Sequence, residues 1–302
     1  MQPRPHRNEK IGLAQDIRLG VCAHMDTSIF LAVIFAAILH ASWNAVIRAG
    51  GDRFQGMLLL TVTQGLMGLV MAGFVPLPKG EVWAWLLFSG VFHSGYKMFL
   101  AAAYKHGDLS RVYPIARGAA PMIVVLAGFF LLEDRLAAKE YAGIALIGGG
   151  VILMARGVFS GGESRALIPF ALGSALCTAG YTMVDGLGAR VAGNATQYTA
   201  WLFIFDALIF SVVILGTRGP RVFTASRQRW LTGTLAGALS LLTYWIVIWA
   251  MTLAPVAMVA ALRETSVLFG VLIGVVWMKE RATAGKFIAA LVILAGVVLV
   301  RV

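Results

Sequence analysis

Arg117 and Arg263 stand 146 residues apart in a chain of 302, each inside an apolar run. A charge buried in a membrane span costs at least a few kcal/mol, so two at matching places point to use, and the use a guanidinium suits is binding an anionic group. Glu264 follows Arg263 directly. Adjacent helical positions point about 100° apart, so the two can serve different helices, one facing a cavity and the other tethering a neighbour, or form a structural ion pair; the sequence leaves both open. Pro121 lacks the N–H that would bond to the carbonyl four residues back, which is that of Arg117. Around these charges stand polar and aromatic residues at helical spacing: His40 and Asn44 with Trp43, His93 and Lys97 with Tyr96, and Tyr181 with Asp185. Tyr113 falls beside Pro114 in the first turn of the fourth span, where Ser110 is the expected N-cap. Tyr244 occupies the middle of the eighth span and Asp206 that of the seventh.

Lys97, Arg117 and Arg263 balance Asp185, Asp206 and Glu264 within the spans. Such a set presents a cationic and an anionic patch, which suits a zwitterion better than a lipophilic cation. The substrate-binding candidates are Arg117, Arg263, Tyr113, Trp43, Asn44, His93, Tyr96, Tyr181 and Tyr244. Glu264 and Asp185 are the candidate proton carriers. For Lys97 and Asp206 taken singly, helix packing explains the charge equally well. His40 and His93 read as hydrogen-bonded interior histidines, since no third ligand is spaced to complete a metal site, and no cofactor motif occurs. A Gly-x-x-x-x-Gly-Lys-Ser/Thr phosphate loop is missing, so a pump driven by nucleotide is disfavoured and the energy must come from a gradient.

The elements that must carry these groups follow from composition. Hydrophobic residues make up 59% of the chain and charged ones 13%, which places it in a bilayer. The net charge of +11 is scattered over loops and span ends without a basic stripe, so nucleic acid is excluded as a partner. Ten apolar runs are each long enough to cross a ~30 Å hydrocarbon core. They lie near 28–48, 55–75, 82–104, 111–132, 138–156, 166–187, 197–216, 230–251, 255–278 and 284–301. Residues 1–24 are a polar tail without the apolar core of a signal peptide, and Met25 is the expected natural start. Neither Cys22 nor Cys177 stands in a redox or metal spacing. Gly233–Gly237 and Gly270–Gly274 are small-xxx-small pairs, whose default use is close helix packing and whose other use is a homodimer.

At the 146-residue offset Arg117 falls on Arg263, Gly128 on Gly274, Asp134-Arg135 on Glu280-Arg281 and Gly150-Val151 on Gly296-Val297. The chain therefore reads as a duplicated half: a tail at 1–24, a five-helix repeat at 25–160 and a second at 161–302. An odd number of spans per half gives an inverted repeat, the architecture of secondary transporters, with the site between the repeats near the bilayer midplane. The expected fold is all-α integral membrane, ten transmembrane helices as two inverted five-helix repeats.

The segments HASWNAVIRAG at 40–50, GDLSRVYPIARGAAP at 107–121 with LLEDRL at 131–136, and ALRETSVLFGVLIGVVWMKER at 261–281 resemble the EamA-type carriers of the drug/metabolite transporter superfamily. The resemblance implies a ten-helix inverted-repeat carrier, usually an exporter of amino acids or other small metabolites, in the inner membrane of a bacterial cell with both termini cytoplasmic. Lys and Arg are more frequent on the loops this orientation puts outside, which leans the other way. Two other classes compete with a carrier. An integral-membrane enzyme on a lipid-linked substrate would need acidic or histidine clusters at the membrane face and a sizeable polar loop, and neither occurs. An assembly subunit without substrate leaves six intramembrane charges without a task. The expected partners are the lipid bilayer and a small-molecule substrate, and the chain is not expected to be an enzyme.

Overall fold

The computed structural model describes residues 25–49, 53–103, 106, 109–131, 136–154, 166–277, 279 and 283–302. Among them every regular element is helical: α1 (Thr27–Ala49), α2 (Arg53–Ala72), α3 (Val82–Ala103), α4 (Leu109–Leu131), α5 (Ala138–Leu153), α6 (Leu167–Ala192), α7 (Ala195–Arg218), α8 (Arg227–Leu253), α9 (Val256–Arg263), α10 (Ser266–Val276) and α11 (Ala284–Arg301). A short 3₁₀ turn, Pro220–Phe223, joins α7 to α8. The tail at 1–24, the repeat boundary at 161–164 and the Asp134-Arg135 and Glu280-Arg281 pairs lie outside the described residues.

Local chemistry sets the ends. Asp26 accepts from the backbone N–H of Ser28 at 2.7 Å before α1. Gly193, at φ +66°, supplies the left-handed residue that closes α6, and Asn194 immediately caps α7 by accepting from Gln197 N at 2.9 Å. Arg190, in the last turn of α6, donates to the carbonyls of Met251 and Ala254 at 2.9 and 3.0 Å, satisfying the end of α8 just before Pro255. At α4 the expectation needs correcting. The helix already includes Leu109, so Ser110 lies inside its first turn and is not the N-cap.

Among the described residues seven segments are long and apolar enough to cross a membrane: those in α1, α2, α6, α7, α8 and α11, and α9 with α10 taken together. Leu31, Phe74, Leu126, Phe130, Val276 and Phe287 point outward, as a lipid-facing surface requires.

The ninth expected run is not one continuous α-helix. Glu264 N bonds to Ala261 O and Thr265 N to Leu262 O, three residues back, so the chain tightens by one 3₁₀-like turn between α9 and α10. Thr265 reinforces it by donating its hydroxyl to Leu262 O at 2.6 Å. Every residue of α9 is buried, from Val256 to Arg263. It is a helix apolar on all sides except at its charged end, which is the pattern of an element enclosed by its neighbours.

Exchange of residue n with n + 146 maps α1–α5 onto α6, α7, α8, α9–α10 and α11. The packing follows that exchange: α3 lies on α6 as α8 lies on α1, α3 on α7 as α2 on α8, and α4 on α6 as α9–α10 on α1. Equivalent helices also meet each other, α2 on α7 and α5 on α11. A Cβ on Gly150 would come 2.6 Å from Ile293 Cγ1 and 3.1 Å from Ala289 O; one on Gly296 would come 2.8 Å from Ile147 Cγ1 and 2.6 Å from Gly143 O. The two contacts are images of one another at the same offset. Numbers rise along α5 as they fall along α11, so these equivalents run in opposite directions. The same holds for α2 and α7, where Gly65 meets Ala207 and Gly68 meets Ala200 and Ile204.

Candidate functional site

The enclosed helix α9 delivers Arg263 and Glu264 to the interior at its C-terminal end, where the carbonyl ends of the peptide dipoles favour a cation. Both side chains are buried. Glu264 turns away from its own helix to α4, where Arg117 Nε donates to its Oε2 at 3.0 Å. Arg263 Nη2 approaches the other oxygen, Oε1, at 3.7 Å, an ion-pair distance too long for a hydrogen bond. The equivalent of Glu264 in the first half is Gly118, which packs against Gly148 and Ile152 of α5. Two arginines thus share one carboxylate, and this cluster carries a formal excess of one positive charge.

Beside it lies a second polar cluster. Asp185 on α6 is fully buried and meets three helices: Tyr244 of α8 donates its hydroxyl to Oδ2 at 2.5 Å, Tyr198 of α7 donates to Oδ1 at 3.2 Å, and His93 Nε2 of α3 stands 3.1 Å from Oδ2. The His93 ring stacks on Tyr181 at a centroid distance of 4.0 Å, and Tyr244 and Tyr96 meet Tyr181 edge-on at 6.1 and 6.0 Å. Tyr181 is also the link between the clusters, for the Arg263 guanidinium lies 5.9 Å from its ring centroid.

Seven of the candidates therefore come together in one continuous network: Arg117, Arg263, Glu264, His93, Tyr181, Tyr244 and Asp185. Tyr96 borders it through Tyr181. Trp43 does not join it directly, being packed with Ile47, Leu60 and Ala236 in a small cluster of α1, α2 and α8. Asn44 is turned back on its own helix, donating to His40 O at 2.8 Å. His40 connects that region to the site: its ring meets Trp43 edge-on at 4.9 Å, and it lies within Coulombic reach of Arg117 and Arg263. Tyr113 belongs to α4, and its side chain lies outside the described residues.

Tyr198 is a contributor that the spacing of the sequence does not reveal. It has no polar partner at i+3 or i+4 on its own helix, and only the crossing of α6 and α7 brings it to Asp185. Lys97 and Asp206 form a separate pair: Nζ reaches both carboxylate oxygens, at 2.8 and 2.6 Å, and stands 4.7 Å from the Phe210 ring centroid. That pair binds α3 to α7 and leaves Asp185 as the carboxylate held by neutral hydroxyls and an imidazole. Among the described residues no group of three or more His, Cys, Asp or Glu is placed to hold a metal ion.

The sequence model of the EamA-like transporter family matches this chain twice, over residues 27–156 and 166–302. No curated protein matches it. A solved crystal structure, described only as that of a protein, shares the fold at a TM-score of 0.73 with 21% identity, over 90% of this chain and 98% of the other.

Proposed function

The chain belongs to the EamA-like transporter family, and from that premise we propose that it is a secondary-active carrier, exporting a small polar metabolite such as an amino acid by alternating access. The observation that carries the reading is the buried Arg117–Glu264–Arg263 cluster at the interruption between α9 and α10. Such interruptions, set where two repeats meet, are where secondary carriers bind their cargo. We read α1–α5 and α6–α11 as two inverted repeats making ten crossings, with α9 and α10 as halves of the ninth. The opposite directions of α5 and α11, and of α2 and α7, support that reading. The carrier spans the inner membrane of a bacterial cell with its termini cytoplasmic.

In this reading the arginine cluster supplies a cationic wall and Asp185 an anionic one, with Tyr181 between them. A substrate bearing both charges fits that order. Glu264 and Asp185 are the groups through which a proton gradient would drive transport, because each is a buried carboxylate whose hydrogen-bond partners come from other helices and separate when those helices move.

The reading is tested by reconstituting the protein in proteoliposomes and measuring flux of ligands found by a thermal-shift screen of amino acids, organic anions and cationic drugs. Arg117→Ala and Arg263→Ala are each expected to abolish flux while the protein still inserts and runs monodisperse in detergent. Full flux in both variants removes the arginines from the mechanism.

A further inference from the structure

We infer that the two repeat-related arginines have unequal tasks: Arg263 binds the carboxylate of the substrate, whereas Arg117 is a positioning residue that holds Glu264. This rests on the carrier reading above. Glu264 commits one oxygen to Arg117, through a hydrogen bond of 3.0 Å from Nε. Its other oxygen stays 3.7 Å from Arg263 Nη2, and the Nε of Arg263 has no hydrogen-bond partner among the described residues, although the side chain is only 3% exposed. A buried charged donor left unmatched is costly, and a ligand that brings acceptor oxygens relieves the cost.

The duplication explains the imbalance. The first half places Gly118 where the second has Glu264, so there is one carboxylate for two guanidiniums, and it cannot bond well to both. The excess of one positive charge in this cluster matches a monoanion; a doubly charged phosphate would leave the cluster with a net negative charge. Tyr181 gives the guanidinium an aromatic neighbour, and the Tyr244 hydroxyl is already spent on Asp185, so neither competes for the incoming oxygens. The planar fork of arginine is the group that accepts a carboxylate with two parallel bonds.

The test uses the full-length protein in detergent, with acetate, benzoate and L-alanine as probes, each against its carboxamide: acetamide, benzamide and alaninamide. At least one carboxylate is expected to raise the melting temperature and to bind by calorimetry, with its carboxamide inert. Arg263→Gln is expected to weaken that binding at least about tenfold. Arg117→Gln combined with Glu264→Gln, which neutralises the pair together, is expected to weaken it clearly less than Arg263→Gln does. Should Arg263→Gln not fold, Arg263→Lys serves: it keeps the charge, loses the fork, and is also expected to bind at least about tenfold more weakly. No carboxylate response in the unmodified protein, unchanged binding in both Arg263 variants, or equal loss in the Arg117/Glu264 double variant overturns the assignment. Binding without flux in proteoliposomes would instead sink the carrier reading and leave the division of the arginines standing.

Discussion

Glu264 is where both interior arginines and two helices converge, and its replacement separates its roles. An amide keeps much of the shape and hydrogen bonding of a carboxylate but does not titrate. Glu264→Gln and Asp185→Asn are therefore expected to preserve substrate exchange while abolishing accumulation driven by a pH gradient, both measured in the same proteoliposomes. Normal pH-driven accumulation in both variants would assign coupling to another ion or to none. Lys97 and Asp206 call for a different expectation, since among the described residues they hydrogen-bond to each other and not to the network around Tyr181. Asp206→Asn leaves a buried ammonium without its counter-ion and is expected to cost about 3–5 kcal/mol, whereas Lys97→Met with Asp206→Leu is expected to be near neutral. Thermal unfolding of the single and double variants checks this, and equal losses in both would contradict a purely structural pair.

At the scale of elements, the interruption between α9 and α10 and the contact of α5 with α11 both depend on particular small or polar residues. The interruption places Glu264 and Thr265 in a tightened turn, so that the acid points to α4 instead of along its own helix. The α5–α11 contact depends on glycine, because a Cβ on Gly296 would stand 2.6 Å from the carbonyl oxygen of Gly143, a backbone atom that cannot swing aside. Gly296→Ala is expected to destabilise by about 1–3 kcal/mol, as overpacking does. Gly285→Ala, near the start of α11 with nothing within 4 Å of its added methyl, is the control and is expected to leave the melting temperature almost unchanged. Equal melting temperatures for the two variants would show that the helices do not meet this closely.

For the molecule as a whole, the proposed inversion of the repeats has a direct consequence at the exposed residues Ala137 and Thr283, which precede the equivalent helices α5 and α11. Similar sequence surrounds them, yet they are expected on opposite faces of the membrane. Ala137→Cys and Thr283→Cys, each in a background lacking Cys22 and Cys177, should differ in labelling by an impermeant maleimide on intact cells. Equal labelling of both sinks the inverted five-plus-five architecture, and the identity of the labelled residue gives the orientation that the basic loops and the family resemblance decide differently.

The sequence by itself determined the solvent and the family. Apolar runs of span length, the 146-residue offset and the matched arginines are one-dimensional patterns, and each follows from a constraint that acts along the chain: the thickness of hydrocarbon, the copying of a half, the cost of a buried charge. Helical spacing likewise put His93, Tyr181 and Asp185 on inward faces. What it could not determine was partnership. That Glu264 bonds to Arg117 across to α4, that Tyr198 reaches Asp185, that Asn44 turns back on His40 and that the ninth run tightens at Thr265 depend on which helices cross and at what depth. Crossings are fixed by side-chain and glycine packing between segments far apart in sequence, so only the tertiary structure decides which buried charge meets which.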